Sequence, residues 1–228
     1  MKTAFLKAVQ LLLYGRDQLA NIIEVTLRMG ISSSLISLLI GIPLGVLLGS
    51  VSFPGRRALV IANRTLMGLP PVVCGLICYM LFSGVGPLRH LKLLYTVKGM
   101  IIAQVILITP LIIGNMESFV SAVAPPIRET ARGMGLSAGR TVLLLMNESQ
   151  YQILSTYLFG LGRAFAEVGA VSMVGGAIAY KTNVMTTAIM NYSNMGDFTL
   201  ALALGIILLG ISLLLNILAS LIHGRLCR

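Results

Sequence analysis

The stretch ISSSLISLLIGIPLGVLLGSV, Ile31 to Val51, decides the fold. It carries no charged residue in 21 positions, and about 20 apolar residues in a helix cross the hydrocarbon of a bilayer. Ser33, Ser37, Gly41, Gly45 and Gly49 recur every four positions, so they share one helical face. Lipid supplies no hydrophobic drive between helices, and a face of small residues is where another helix packs closely.

Four further stretches have the length and polarity of spans. They run from Ala58 to Phe82, Gly99 to Phe119, Ile153 to Ile178 and Phe198 to Ile222. Gly162, Ala166 and Ala170 make a shorter small-residue stripe in the fourth, and Pro110 is expected to kink the third. Composition agrees: 57% of the 228 residues are hydrophobic and 11% charged, against roughly 25% charged in soluble domains. The bilayer is the natural solvent for such a chain.

The N-terminal 20 residues read differently. Phe5, Ala8, Val9 and Leu12 share one helical face, and Lys7, Gln10 and Tyr14 the other. That pattern predicts an amphipathic segment lying on the membrane surface, ahead of a membrane domain over 21–228. No cleavage site marks a signal peptide.

The net charge of +10 comes mostly from short loops between apolar stretches. No basic run with interleaved aromatics suggests nucleic acid, and lipid headgroups or anionic solutes explain the charge better. Loop charges leave orientation undecided: with 120–152 placed inside, eight basic residues fall on each side. Cys74 and Cys78 share a face of an apolar helix without a nearby His, which suits packing thiols. His90 and His223 are remote from one another in sequence. No Gly-Lys-Ser or Gly-Lys-Thr exists to build a P-loop, so any ATP chemistry must come from another chain.

The longest loop, 120–152, opens with Pro125-Pro126 and then reads helix, turn, helix. Within it, Glu129-Thr130-Ala131-Arg132-Gly133-Met134-Gly135 resembles the E-A-A-x-x-x-G signature of ABC importer permeases. Glu129, Ala131 and Gly135 match in register and Thr130 stands at the second position. Leu145-Met146-Asn147-Glu148 stands where that family often continues to Leu-Pro. Gly162-Arg163-Ala164-Phe165-Ala166-Glu167-Val168-Gly169-Ala170 resembles the G-R-A-x-x-E-x-G-A segment of sulfate, molybdate and tungstate permeases. Gly68-Leu69-Pro70-Pro71-Val72-Val73 resembles their L-P-P-x-V segment. Met185-Thr186-Thr187-Ala188-Ile189, followed by Gly196-Asp197-Phe198, is similar to the external segment of tungstate permeases.

Arg163 and Glu167 are four apart and face the same way. A lone charge at mid-bilayer costs about 2.5–3.5 kcal/mol on insertion scales, so a pair lowers the cost. Two roles stay open for them: a structural ion pair, or an oxyanion contact at Arg163 braced by Glu167. Broken backbone at Pro70-Pro71 is tolerated at membrane depth only where it is buried or lines a cavity.

The resemblance implies an all-α polytopic permease of the type I ABC importer kind, with about five transmembrane helices and a cytoplasmic coupling helix within 125–148. It implies ATPase coupling at Glu129, Thr130, Ala131 and Gly135, and a translocation path at Arg163, Glu167, Pro70 and Pro71. No catalytic or metal residue is expected in this chain, and ATP and Mg would be bound by the partner. The implied partners are a second copy, two cytoplasmic ABC ATPase subunits and an extracytoplasmic solute-binding protein, in a bacterial or archaeal cytoplasmic membrane with the C-terminus inside. Tungstate is the implied solute. Molybdate or sulfate is the alternative, and an ATP-independent channel or a membrane scaffold the rival outside this class.

Overall fold

The computed structural model describes Leu6 and residues 16–226, and all its regular structure is helical. The order is α1 (Arg16–Ser50), α2 (Arg56–Met67), α3 (Pro71–Phe82), a 3₁₀ turn (Arg89–Leu91), α4 (Val97–Gly133), α5 (Ala138–Glu148), α6 (Gln150–Ala166), α7 (Gly169–Gly175), α8 (Met185–Asn194) and α9 (Phe198–Leu226). The amphipathic segment expected over 1–20 lies outside the described residues for nearly all its length, as does Cys227.

Among the described residues, three helices are long and apolar enough to cross a bilayer: Leu19–Ser50, Val97–Gly133 and Phe198–Leu218. Two bent pairs, α2 with α3 and α6 with α7, raise the number to five when each is one span. The expected second and fourth spans are therefore broken helices. The break in the second is at Gly68-Leu69-Pro70, and that in the fourth at Glu167-Val168. Pro71 opens α3 at a position where its missing N–H costs nothing, and Pro70 before it is extended.

The expected loop at 120–125 is instead helix. α4 continues through Pro110, Pro125 and Pro126 to Gly133. A proline removes one intrahelical hydrogen bond without ending the helix if neighbours support it. At Pro110 one support is visible: Asn63 Nδ2 donates to the Pro110 carbonyl at 3.1 Å.

The described chain forms two compact units, and α1, α4 and α6 each contribute to both. In the second unit (Ser34–Leu69 and Val105–Leu161) the small-residue face of α1 meets α4 directly. A Cβ on Gly41 would lie 2.6 Å from Ile112 Cγ2, one on Gly45 2.5 Å from Met116 Cβ, and one on Gly49 2.8 Å from Val120 Cβ. Both rows advance by four, so the two helices run parallel in a fixed register. Each pair is separated by 71 residues, as are Ser33 and Gln104 in the first unit.

The first unit contains the residues up to Ser33, Pro70–Gln104 and Gly162 onward. Its core has two clusters. Leu19, Ile22, Met185, Ala188, Ala203, Leu204 and Ile207 join α1, α8 and α9. Val25, Met29, Met100, Val171 and Val184 join α1, α4 and α7 with the start of α8. α3 packs on α7, where a Cβ on Gly75 would sit 2.7 Å from Ala170 Cα. The shorter stripe of the sequence is not a continuous face: Gly162 has open space around it, and the helix breaks before Ala170 is reached. Cys74 and Cys78 are buried free thiols, and no metal-ligand cluster exists among the described residues.

Gly45→Ala must push Met116 and the Ile113 carbonyl away, whereas a Cβ on Gly205 in α9 meets nothing within 4 Å. The Gly45 variant is expected to unfold several degrees lower in detergent. Gly205→Ala should hold or raise the midpoint, because alanine is the better helix former by roughly 0.5–1 kcal/mol. Equal midpoints would refute the close approach of α1 and α4.

Candidate functional site

The first unit holds the broken ends of two helices side by side. A Cβ on Gly169, at the start of α7, would lie 2.9 Å from Val72 Cγ2 and 3.3 Å from the Val72 nitrogen in the first turn of α3. The Pro70-Pro71 break thus adjoins the Glu167-Val168 break. Glu167 sits in the second gap and is buried, with a side chain 4% exposed.

Three bonds hold Glu167. Its Oε2 accepts from Arg163 Nη1 at 2.9 Å, one turn back on α6. Its Oε1 accepts from the Ala170 N–H at 3.1 Å, which supplies an acceptor that α7 lacks at its start. Its carbonyl accepts from Thr186 Oγ1 of α8 at 2.9 Å. One residue therefore fixes α6, α7 and α8 together. Arg163 is 31% exposed in its side chain, and the ion pair with Glu167 is the only one its guanidinium makes among the described residues. Both path residues named from the sequence are thus in contact, and Pro70 and Pro71 adjoin them through Val72 and Gly169.

Several buried hydroxyls surround this pair, Thr186 and Thr187 among them from the segment that resembles tungstate permeases. Thr182 Oγ1 donates to the Gly175 carbonyl at 2.6 Å and accepts from the Ile178 N–H at 3.1 Å, closing the turn after α7. Thr187 Oγ1 accepts from the Val184 N–H at 3.0 Å at the start of α8. Thr26 Oγ1 of α1 accepts from the Met185 N–H at 3.0 Å. Gln104 is fully buried in α4; it accepts from Ser33 Oγ at 2.6 Å and donates to the Ala164 carbonyl at 2.8 Å. The readable signal for Gln104 was an amide inside an apolar span; Thr182 and Asn183 read only as a polar loop, whereas Thr186 and Thr187 stood in a segment with a family resemblance.

In the second unit, Glu129, Thr130 and Ala131 lie in the last turns of α4, and Gly135 follows the helix end at φ 68°. The Leu136 N–H donates to the Ala131 carbonyl at 2.9 Å and the Gly135 N–H to the Arg132 carbonyl at 3.0 Å. This is a Schellman closure with Gly at its left-handed position. Ala131 is buried while Glu129 and Thr130 are exposed. α5 then begins after Ser137. The four residues assigned to coupling are thus the end of a long helix and the turn beyond it, rather than a separate short helix.

One charged cluster escaped the sequence reading altogether. Glu117 of α4, 7% exposed in its side chain, takes Arg56 Nη2 at 3.2 Å and Arg64 Nη2 at 3.4 Å, both from α2. An acid within an apolar span was the signal. Arg56 also donates from Nε to the Leu48 carbonyl at the end of α1.

Parallel small-residue helices, broken spans around a buried ion pair and an exposed helix-end turn define a polytopic membrane permease. The chain belongs to the family of binding-protein-dependent transport system inner membrane components, which matches residues 41–228. It is 34% identical over 212 residues to the tungstate uptake system permease protein TupB of Peptoclostridium acidaminophilum, covering 93% of each chain. It is 33% identical over 212 residues to a probable anion ABC transporter permease protein of Haloferax volcanii, covering 91% of each. The sulfate transport system permease protein CysW of Synechococcus elongatus is 27% identical over 222 residues, 92% of this chain and 76% of that one. An ATP-independent channel and a scaffold are set aside by this membership.

Glu167→Leu leaves the Ala170 N–H and the Arg163 guanidinium without a partner. Removing one member of a buried pair typically costs about 3–5 kcal/mol, so membrane-inserted folded yield should collapse. Thr186→Val removes a single neutral bond, on the order of 1 kcal/mol, and should lower the thermal midpoint only slightly. Size-exclusion profiles of tagged variants separate the two.

Proposed function

We propose that this chain forms the membrane pathway of an ABC importer for tungstate. It works as a homodimer, with two cytoplasmic ATPase subunits and an extracytoplasmic binding protein that delivers the anion. The observation that carries the choice of solute is the likeness, over 93% of each chain, to a tungstate uptake permease. A second TupB, from Campylobacter jejuni, is 34% identical over 164 residues. Sulfate permeases at 26–27% identity keep sulfate as the second reading.

The Arg163–Glu167 geometry supports an oxyanion. Arg presents donors in a fixed fork suited to tetrahedral oxygens. Glu167 holds one nitrogen of that fork, and 31% of the side chain stays accessible. The pair is neutral overall, so an anion meets a guanidinium edge rather than a net charge. A pathway needs such weak contact, favourable enough to enter and weak enough to leave.

ATP supplies the energy through the turn at the end of α4. ATP binding closes the ATPase dimer, the movement reaches Glu129 to Gly135, and the pathway opens outward to take the anion from the binding protein. Hydrolysis resets it. The Schellman closure makes this helix end a rigid lever, since its terminal carbonyls are satisfied within the chain.

Two measurements test this reading. In the assembled transporter, Arg163→Ala should reduce tungstate uptake at least tenfold beyond any loss of folded protein; a loss merely proportional to protein amount leaves the pair a purely structural one. Gly135→Val forces a branched side chain into a left-handed backbone, at about 1–2 kcal/mol. Uptake and binding-protein stimulation of ATP hydrolysis should then fail together, while Gly135→Asn retains both. Normal stimulation in the valine variant would remove the coupling assignment.

A further inference from the structure

The second unit contains a cationic hollow beside the turn at Gly135, away from the Arg163–Glu167 pair. Two adjoining spaces of about 250 and 220 Å³ share Ser50, Val51 and Arg128. Arg132 lines the first and Arg56 the second. Arg128 and Arg132 are four apart on α4, so two like charges stack on one face, an arrangement that destabilises a helix when left alone. Neither forms an ion pair among the described residues. The acid bonded to Arg56 is Glu117, which is shared with Arg64.

Ser50 points to what belongs there. It is 2% exposed, lines both spaces, and its Oγ has no hydrogen-bond partner. A buried hydroxyl without a partner is rare and unfavourable. Of the other hydroxyls of the lining, Ser121 Oγ donates to the Ser118 carbonyl and Thr141 Oγ1 to the Ser137 carbonyl, while Ser52 is exposed. The buried hydroxyl of Ser50 and the guanidinium groups of Arg128 and Arg132, with the exposed Ser52 beside them, are donors without an acceptor among the described residues, which is an anion's complement. A third hollow of about 190 Å³ also opens at Ser50 and Val51, and its other walls are apolar: Pro43, Val46, Leu47, Val142 and Met146.

We infer that this composite hollow seats one anionic phospholipid, its phosphodiester on Arg128, Arg132 and Ser50 and the start of an acyl chain against Val46, Leu47 and Met146. A free oxyanion would use the cationic part and leave the apolar part without purpose. Arg forks suit phosphate oxygens, and basic residues at a membrane border draw anionic lipid. The seated lipid would join the end of α1, the last turns of α4 and α5, next to the turn at Gly135.

The test uses the full chain, purified in maltoside detergent and stripped of lipid. Phosphatidylglycerol should raise the thermal midpoint saturably and appear as one bound lipid per chain in native mass spectrometry. Phosphatidylcholine at the same mole fraction should do neither. Affinity should fall about fivefold for each Arg lost in Arg128→Gln/Arg132→Gln, the ratio expected per basic residue at a charged headgroup. Ser50→Ala, a minimal change that preserves the helix, should weaken it too and decides the matter if the double variant does not fold. Full stabilisation by inorganic phosphate or tungstate alone would overturn the lipid, and so would a phosphatidylglycerol effect unchanged in these variants. Arg163→Ala should bind the lipid normally, so failure here is separable from failure of the pathway assignment.

Discussion

In hydrocarbon no water waits to satisfy a carboxylate or a free amide, and every departure from continuous helix must bring its own partners. Glu167 is where this constraint concentrates. The fourth span breaks at this residue, and the carboxylate repairs both sides of the break. One oxygen binds Arg163 on the helix that ends, and the other binds the Ala170 N–H on the helix that begins. Thr186 adds the third support through the Glu167 carbonyl. The break, the buried charge and the fold of α6, α7 and α8 are one feature.

Glu117 solves a similar problem differently. Two arginines from α2 reach it, and with Asn63 on the Pro110 carbonyl and Met67 against Gly114 they hold a short helix that has no buried residue of its own. Gln104 does the same work without charge, bridging α1 and α6 through Ser33 and Ala164. Between these polar points the joint is dispersion alone. Gly41, Gly45 and Gly49 bring α1 within contact of Ile112, Met116 and Val120, and the even spacing of four locks the register. Small residues and a few satisfied polar ones divide the work that a hydrophobic core performs in water.

Much of this was legible in the sequence, and the reasons are specific. The stripe from Ser33 to Gly49 declares a close helix contact because only packing explains glycine every fourth residue in lipid. Arg163 and Glu167 declare a pair because neither is tolerable there alone. Pro70-Pro71 declares a break. The partners are what the sequence hides. Thr182 looks like a loop residue until the fold buries it, and the arginines that neutralise Glu117 are more than 50 residues away. Pro125-Pro126 misled in the opposite sense. Prolines end helices in water because the freed carbonyls and the displaced turn find a better alternative, whereas α4 keeps its path through them to Gly133.

That persistence bears on how a movement at Gly135 could reach the membrane. Had the chain turned at Pro125-Pro126, the residues proposed for coupling would sit on a separate short helix, and a push on it would be absorbed by the linker. Instead Glu129, Thr130 and Ala131 end the same 37-residue helix that carries Gln104 and Glu117. Within the second unit that helix is keyed to α2, by Arg56 and Arg64 on Glu117 and by Asn63 on the Pro110 carbonyl. The Schellman closure then has a mechanical meaning. It spares the last carbonyls of α4 from seeking partners on whatever docks there, so the surface offered outward is side chains, with Glu129 and Thr130 exposed and Ala131 turned in. Under the proposed coupling, recognition of the docking subunit falls to side chains and stiffness of the helix end to its backbone.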